Sequence, residues 1–365
     1  MAGRSAQSQI LLGLRGTGKT VLLNEIESFA ETERHLTSFI EAAEGKSLAE
    51  MLYPQMRQTL RRLSTVEKAR LYVHKGLAGL RGFASIFKIK VGDVELGVEP
   101  EPGLADSGDL ELDVTDLFLA IGNAAKAAGR GWSLFIDEIQ YLETSELAAL
   151  IVAIHRVNQK NLPVILFGAG LPQIARLSGD AKSYAERLFT FPSIGALDKS
   201  AAIEAIRNPL EKEGISIDDD ALDEILAKTS GYPFFLQEWG HQAWNIVERN
   251  PIKVGDIENA SKRAFRRLDD GFFKVRLDRL TPTETAYVNA MALIGPGPYK
   301  SKDVAKALGK KPSKLGPRRA SIIKKGMIYS PSYGDVDFTV PLFDEFLRRR
   351  ASDPTIMFDA SNRKN

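Results

Sequence analysis

The sequence predicts an α/β architecture in its first half, a parallel sheet wound with helices. An all-helical segment follows, and then a small domain of helices and a hairpin. Three observations carry this. A glycine-rich loop, Gly13-Leu14-Arg15-Gly16-Thr17-Gly18-Lys19-Thr20, joins a short apolar strand to an amphipathic helix. Short apolar runs then alternate with helical patterns as far as residue 193, the rhythm of a parallel sheet. Strand patterns stop at residue 194 and return only near 327–340.

The elements follow in order. Ile10-Leu11-Leu12 reads as the first strand, and Val21, Leu22, Leu23, Ile26 and Phe29 give the next helix its apolar face. Residues 35–42 read as a second strand, and 47–63 and 65–80 as amphipathic helices. In 83–91 and 94–98, apolar Phe87, Ile89, Val91 and Val94, Leu96, Val98 alternate with charged residues around Gly92-Asp93. That pattern predicts an inserted hairpin over 83–98 that covers a flank of the core. Asp113 is the expected cap of a helix ending near 128. Trp132-Ser133-Leu134-Phe135-Ile136-Asp137-Glu138 is a continuous apolar run ending in two carboxylates, as a central parallel strand would look. A helix over 147–157 and strands at 164–167 and 189–191 complete the sheet.

Beyond it, helices are expected at 199–213, 219–229, 233–249 and 254–277. Thr281-Pro282-Thr283-Glu284 has the spacing of a capping box, with Pro at the first helical position. Helices to 293, at 301–308 and at 313–325, then strands at 327–329 and 337–340, predict a winged helix-turn-helix. The expected organisation is a nucleotide domain over 1–193, a helical lid over 194–280, the winged helix over 281–350 and a loose tail over 351–365.

Composition sets limits. The 365 residues suggest two or three domains, and 44% hydrophobic with 26% charged residues suits a globular core. No cysteine is present, which excludes disulfides and thiolate metal sites. No apolar run reaches membrane-spanning length, and residues 1–7 have no apolar stretch behind them, so neither a membrane anchor nor a signal peptide is expected. A cytoplasmic protein is the expectation. His35, His74, His155 and His241 are scattered and form no metal pair. Phe234, Phe235, Trp239 and Trp244 have helical spacing and read as lid core.

The chemistry concentrates in two places. The loop fits G-x-x-x-x-G-K-[ST], and strand, glycine loop and helix together aim backbone N–H groups and the helix dipole at one anion. Gly13, Gly16, Thr17, Gly18 and Val21 would line a nucleotide's phosphates, Lys19 would pair with the β- and γ-phosphates, and Thr20 would bind Mg²⁺. Asp137 and Glu138 match the acidic strand end that accompanies such a loop. Asp137 is the Mg²⁺ partner of Thr20, and Glu138 is the candidate base for a water attacking the γ-phosphate. The second place is basic. Residues 281–350 carry a net +7 against −5 for the remainder, and 300–325 hold ten basic residues and one acid, Asp303. Lys314, Arg318 and Arg319 on the 313–325 helix, with Lys310 and Lys311 before it, are candidate DNA contacts flanked by Lys300 and Lys302.

The loop, the acidic strand end, the helical lid and the winged helix together resemble AAA+/STAND-type P-loop ATPases. They are most similar to the clade that groups replication-initiator, origin-recognition-like ATPases with STAND and MNS proteins. The resemblance implies an ATP- and Mg²⁺-dependent ATPase that assembles with copies of itself. Pro233 in Gly231-Tyr232-Pro233 matches the lid proline that packs near adenine, and Arg187 matches the arginine finger before the last strand. Arg15 is expected to face solvent. The sequence departs from the family in three ways. No Gly-Arg box precedes the loop, the strand ending Phe167-Gly168-Ala169-Gly170 has no polar sensor (Gln173 is the nearest substitute), and the lid segment 233–237 offers no sensor arginine. Slow hydrolysis is therefore expected. Two readings stay open: a nucleotide switch whose winged helix binds double-stranded DNA, and a signalling or scaffold ATPase whose winged helix contacts protein.

Overall fold

The computed structural model describes residues 7–89, 102–246 and 250–352. The chain divides into two compact units, Met1–Gly13 with Lys19–Ile194, and Leu14–Gly18 with Gly195–Asn365.

In the first unit, β1 (Ser8–Leu12), β2 (His35–Glu41), β3 (Gly131–Asp137), β4 (Val164–Gly170) and β5 (Phe189–Thr190) form one sheet in the order β2-β3-β4-β1-β5. All its ladders are parallel. Its helices are α1 (Lys19–Thr32), α2 (Leu48–Leu63), α3 (Arg70–Ile86), α4 (Leu110–Ala127), α5 (Thr144–Gln159), α6 (Ile174–Ala181) and α7 (Ala185–Leu188). β3 is buried along its whole length, which is why it reads as an unbroken apolar run. Trp132, Leu134 and Ile136 face a core shared with α2, α4 and α5. Phe135 faces the other way, with Leu11 and Leu23, and its ring stacks between Phe39 and Phe167 at 6.1 and 5.2 Å across three strands. Parallel pairing brings Leu12 level with Gly170 and Ile136 level with Gly168. The carboxyl ends of β1, β3 and β4 therefore share one edge, where ligands of such sheets bind.

Several expectations are corrected. The alternation at 83–91 does not begin a hairpin: Phe83 to Ile86 is the last turn of α3. Phe83 is fully buried and meets Phe87, four residues on, at 4.6 Å between ring centroids, a helical spacing that the alternation imitates. The rest of the expected hairpin, from residue 90, lies outside the described residues. The α4 cap is Asp109, whose side chain accepts from the N–H groups of Glu111 and Leu112. Asp113 is buried inside the helix and accepts from Ser107 and Gly108 instead. Of the five apolar residues expected to form the buried face of α1, Leu23 alone is fully buried, while Val21 and Phe29 are 64% and 66% exposed.

In the second unit, α8 (Lys199–Lys212), α9 (Asp219–Thr229), α10 (Pro233–Asn245) and α11 (Val254–Arg267) pack around Leu222, Phe235 and Trp239. The long helix expected over 254–277 is interrupted by a π-helical turn at Leu268–Phe273 before the short α12 (Lys274–Leu277). Then come α13 (Pro282–Ile294), β6 (Tyr299–Lys300), α14 (Ser301–Ala307), α15 (Pro312–Lys324), β7 (Ile328–Tyr329), β8 (Asp335–Phe338) and α16 (Phe343–Ala351). β6, β8 and β7 make an antiparallel sheet in that order. β6 and α16 carry no signal strong enough to be expected from sequence. Most of the expected tail, from residue 353, lies outside the described residues. Among the described residues no helix is long and apolar enough to cross a membrane.

Candidate nucleotide-binding site

The glycine loop leaves β1 at a fixed root, where Gly13 N–H donates to Gly170 O at 3.0 Å. Gly16 and Gly18 adopt φ of +82° and +88°, a left-handed backbone that costs a side-chain-bearing residue about 1 kcal/mol or more. Thr17 Oγ1 donates to Leu14 O at 2.9 Å and closes the loop on itself. Lys19 is the first residue of α1 and is buried, whereas Thr20 is exposed. The first turn of α1 thus sets Lys19 at the sheet's carboxyl edge, at the end of the helix whose dipole favours an anion.

The second half of the site comes from β3. Thr20 Oγ1 donates to Asp137 Oδ2 at 2.5 Å, across 117 residues of sequence. Asp137 Oδ1 accepts from the Glu138 N–H at 2.8 Å, so both carboxylate oxygens are engaged. Glu138 takes φ 52°, ψ 36°, and that left-handed residue turns the chain sharply at the end of the strand. Retaining a conformation costing about 1–3 kcal/mol is a mark of functional turns. The Gln140 amide donates to Glu138 Oε2. Gln173, the expected sensor substitute, sits instead at the N-cap of α6. Gln140 was invisible as a site residue because its partners are set by the turn at Glu138.

The loop tip, Leu14–Gly18, groups with the second unit. There Arg15 N–H donates to Thr339 O at 2.9 Å and Gly16 O accepts from Phe234 N–H at 3.2 Å. Arg15 is half-buried, not solvent-facing as the sequence suggested. Pro233 is the first residue of α10, directly before Phe234. Arg187 is exposed on α7, two residues before the end of the helix-to-β5 junction at Phe189. Among the described residues its side chain makes no ion pair.

Of the basic candidates, Lys310, Lys311 and Lys314 are exposed, and Arg318 is half-buried. Lys310 and Lys311 precede α15, and Lys314 lies in its first turn, where the helix dipole disfavours positive charge. The Arg319 guanidinium donates to Ser330 Oγ at 2.8 Å and Asp335 O at 2.9 Å, tying α15 to the β7–β8 segment. Lys300 pairs with Asp335 at 2.8 Å and Lys325 with Glu284 at 2.7 Å. A separate hollow of about 510 Å³ between α8 and α10, walled by Ile206, Leu210 and Trp244, holds none of the expected site residues.

Comparison with known proteins agrees with the geometry. A family model described as "AAA domain" matches residues 3–174, and one described as a domain of unknown function matches residues 270–347. No curated protein matches. Among solved structures, a Walker-type ATPase of Pyrococcus abyssi is similar at 18% identity and a TM-score of 0.58, over 93% of this chain and 90% of that one. A RuvB mutant of Thermotoga maritima is similar at 14% identity and a TM-score of 0.45, over 95% and 89%. The Orc1 protein of Aeropyrum pernix in complex with DNA is similar at 14% identity and a TM-score of 0.39, over 95% of this chain and 87% of that one. With its loop, its acidic strand end and its sheet order, the first half of this chain has the α/β fold of P-loop NTPases, and it is there that the AAA-domain model matches.

Proposed function

We propose that the protein binds ATP with Mg²⁺ at residues 13–20 and 137–138, hydrolyses it slowly, and couples the nucleotide state to double-stranded DNA binding by residues 281–350. The observation that supports this most is the Thr20–Asp137 hydrogen bond. It pairs the hydroxyl of the motif's last residue with a buried carboxylate at the end of the central strand. Mg²⁺ is typically held through one or two protein oxygens together with phosphates and water, and Thr20 Oγ1 and Asp137 fit that donor set. Bound there, it would neutralise phosphate charge. Gly13, Gly16, Thr17, Gly18 and Val21 line the phosphates, and Lys19 meets the β- and γ-phosphates. Pro233 packs toward the adenine.

Glu138 is the general base. Its carboxylate takes a proton from water as the water oxygen bonds to the γ-phosphorus and the bond to the β–γ bridging oxygen breaks, releasing ADP and phosphate. Arg187, exposed and without an acidic partner among the described residues, is a finger toward the γ-phosphate of a neighbouring copy, which makes assembly ATP-dependent. Helices α13 to α15 with strands β6 to β8 are read as a winged helix-turn-helix, with α15 as the recognition helix. Lys310, Lys311, Lys314 and Arg318 supply its phosphate contacts, and Arg319 holds the wing.

The site assignment is tested by nucleotide titration and steady-state hydrolysis. Lys19→Ala is expected to abolish ATP binding. Glu138→Gln is expected to bind ATP normally and lose about 10²–10⁴-fold in turnover, the usual contribution of a general base. Wild-type hydrolysis by both variants contradicts the assignment. The internal engagement of Lys300, Arg319 and Lys325 favours a second reading, in which residues 281–350 contact protein and the ATPase acts as a signalling scaffold.

A further inference from the structure

Gln140 joins three parts of the carboxyl edge of the sheet. Its Nε2 donates to Glu138 Oε2, and its Oε1 accepts from Leu171 N–H at 3.1 Å. These partners fix the orientation of the amide, since an ionised carboxylate only accepts and a backbone N–H only donates. Leu171 follows Gly170, whose carbonyl accepts the Gly13 N–H at the root of the glycine loop. One side chain thus ties Glu138 to the strand end that anchors the phosphate loop.

The fold makes room for this bridge. A Cβ added at Gly170 would stand 2.8 Å from Gln140 Oε1 and 2.8 Å from Ile139 Cγ2. The glycine end of β4, which has no polar side chain of its own, is the seat of the Gln140 amide. The left-handed Glu138 reverses the chain into a short 3₁₀ turn at Ile139–Tyr141, so that Gln140 faces back to the carboxylate two residues before it. Both side chains are half-buried, where an amide–carboxylate hydrogen bond is stronger than in water.

We propose that Gln140 is a positioning residue for hydrolysis: it holds the Glu138 carboxylate in place, supplying from β3's exit the polar group that β4 lacks. This rests on the reading of Glu138 as the general base.

The test compares the full-length wild type with Gln140→Ala, Gln140→Glu, Gly170→Ala and Glu138→Gln. ATP affinity, kcat and thermal stability are measured for each. In Gln140→Ala, affinity and thermal stability are expected to stay close to wild type, affinity within about twofold, while kcat falls on the order of 10- to 100-fold, as for a misplaced reacting group. Gln140→Glu keeps the acceptor for Leu171 but loses the donor to Glu138, so its kcat falls likewise at unchanged ATP affinity. Gly170→Ala, which displaces the amide, is expected to resemble Gln140→Ala. The proposal is overturned if Gln140→Ala keeps the wild-type kcat while Glu138→Gln is inactive. It is equally overturned if kcat falls only together with ATP affinity and thermal stability, which is the signature of a purely structural residue. A Glu138→Gln protein that turns over like wild type contradicts the base assignment itself and is recognised separately.

Discussion

Arg318 and Arg319 are adjacent in sequence and have different tasks. Arg319 donates to a hydroxyl and to a backbone carbonyl of the β7–β8 segment, whereas Arg318 lies half-buried on the helix that carries the proposed DNA face. Truncating Arg319 leaves the Asp335 carbonyl and the Ser330 hydroxyl short of a charged donor. Arg319→Ala is therefore expected to destabilise the protein by about 1–3 kcal/mol, read by urea denaturation, while Arg318→Ala stays within about 0.5 kcal/mol of wild type. Equal stability of the two variants would contradict the distinction. Composition could not separate them, because a charge run shows only that ten basic side chains cluster. Placements that follow from local pattern, such as Thr20 against Asp137, were legible. Gln140 was not, because it depends on Leu171, 31 residues away, and on the empty space at Gly170.

At the scale of the element, the start of α13 shows how one motif serves two structures. Thr281 and Glu284 form the reciprocal capping box that their spacing predicts. The Glu284 carboxylate also accepts from Ser321 Oγ at 2.6 Å and Lys325 Nζ at 2.7 Å, joining α13 to α15. Burial alone would raise its pKa, but hydrogen bonds from Lys325, Ser321 and Thr281 outweigh burial and hold it down to about 2, below its ordinary 4.5. A depressed acid stabilises the fold above its unfolded-state pKa and loses that contribution as pH falls toward the folded-state value. Stability is therefore expected to decline between about pH 4.5 and 2. Glu284→Gln is expected to cost about 1–3 kcal/mol at pH 7 and to flatten that decline. Denaturation curves at pH 7, 4 and 3 would show it, and an unchanged acid slope would contradict the assignment. The elements misread from sequence share one cause. Apolar alternation near residue 87 imitated a strand, while tertiary packing of Phe83 decided for helix. Packing also sets the π-helical turn at Leu268–Phe273, which interrupts an otherwise continuous helical pattern.

Over the whole molecule, the change from alternating strands to helices near residue 194 and the concentration of positive charge after residue 281 were visible in sequence. The strand order β2-β3-β4-β1-β5 was not, since periodicity says which segments are strands and nothing about their neighbours. The central claim joins the two ends of the chain: ATP at the glycine loop sets DNA binding by the basic helix. Its most direct measurement is a fluorescence-anisotropy titration of duplex DNA with the full-length protein, with and without ATP, over a salt series. The expected result is a salt-sensitive affinity that differs between the two nucleotide conditions. Its log–log salt slope should shrink by about 3–4 when Lys310, Lys311, Lys314 and Arg318 are replaced by alanine. No binding at low salt, or an affinity indifferent to both ATP and those four substitutions, would contradict it.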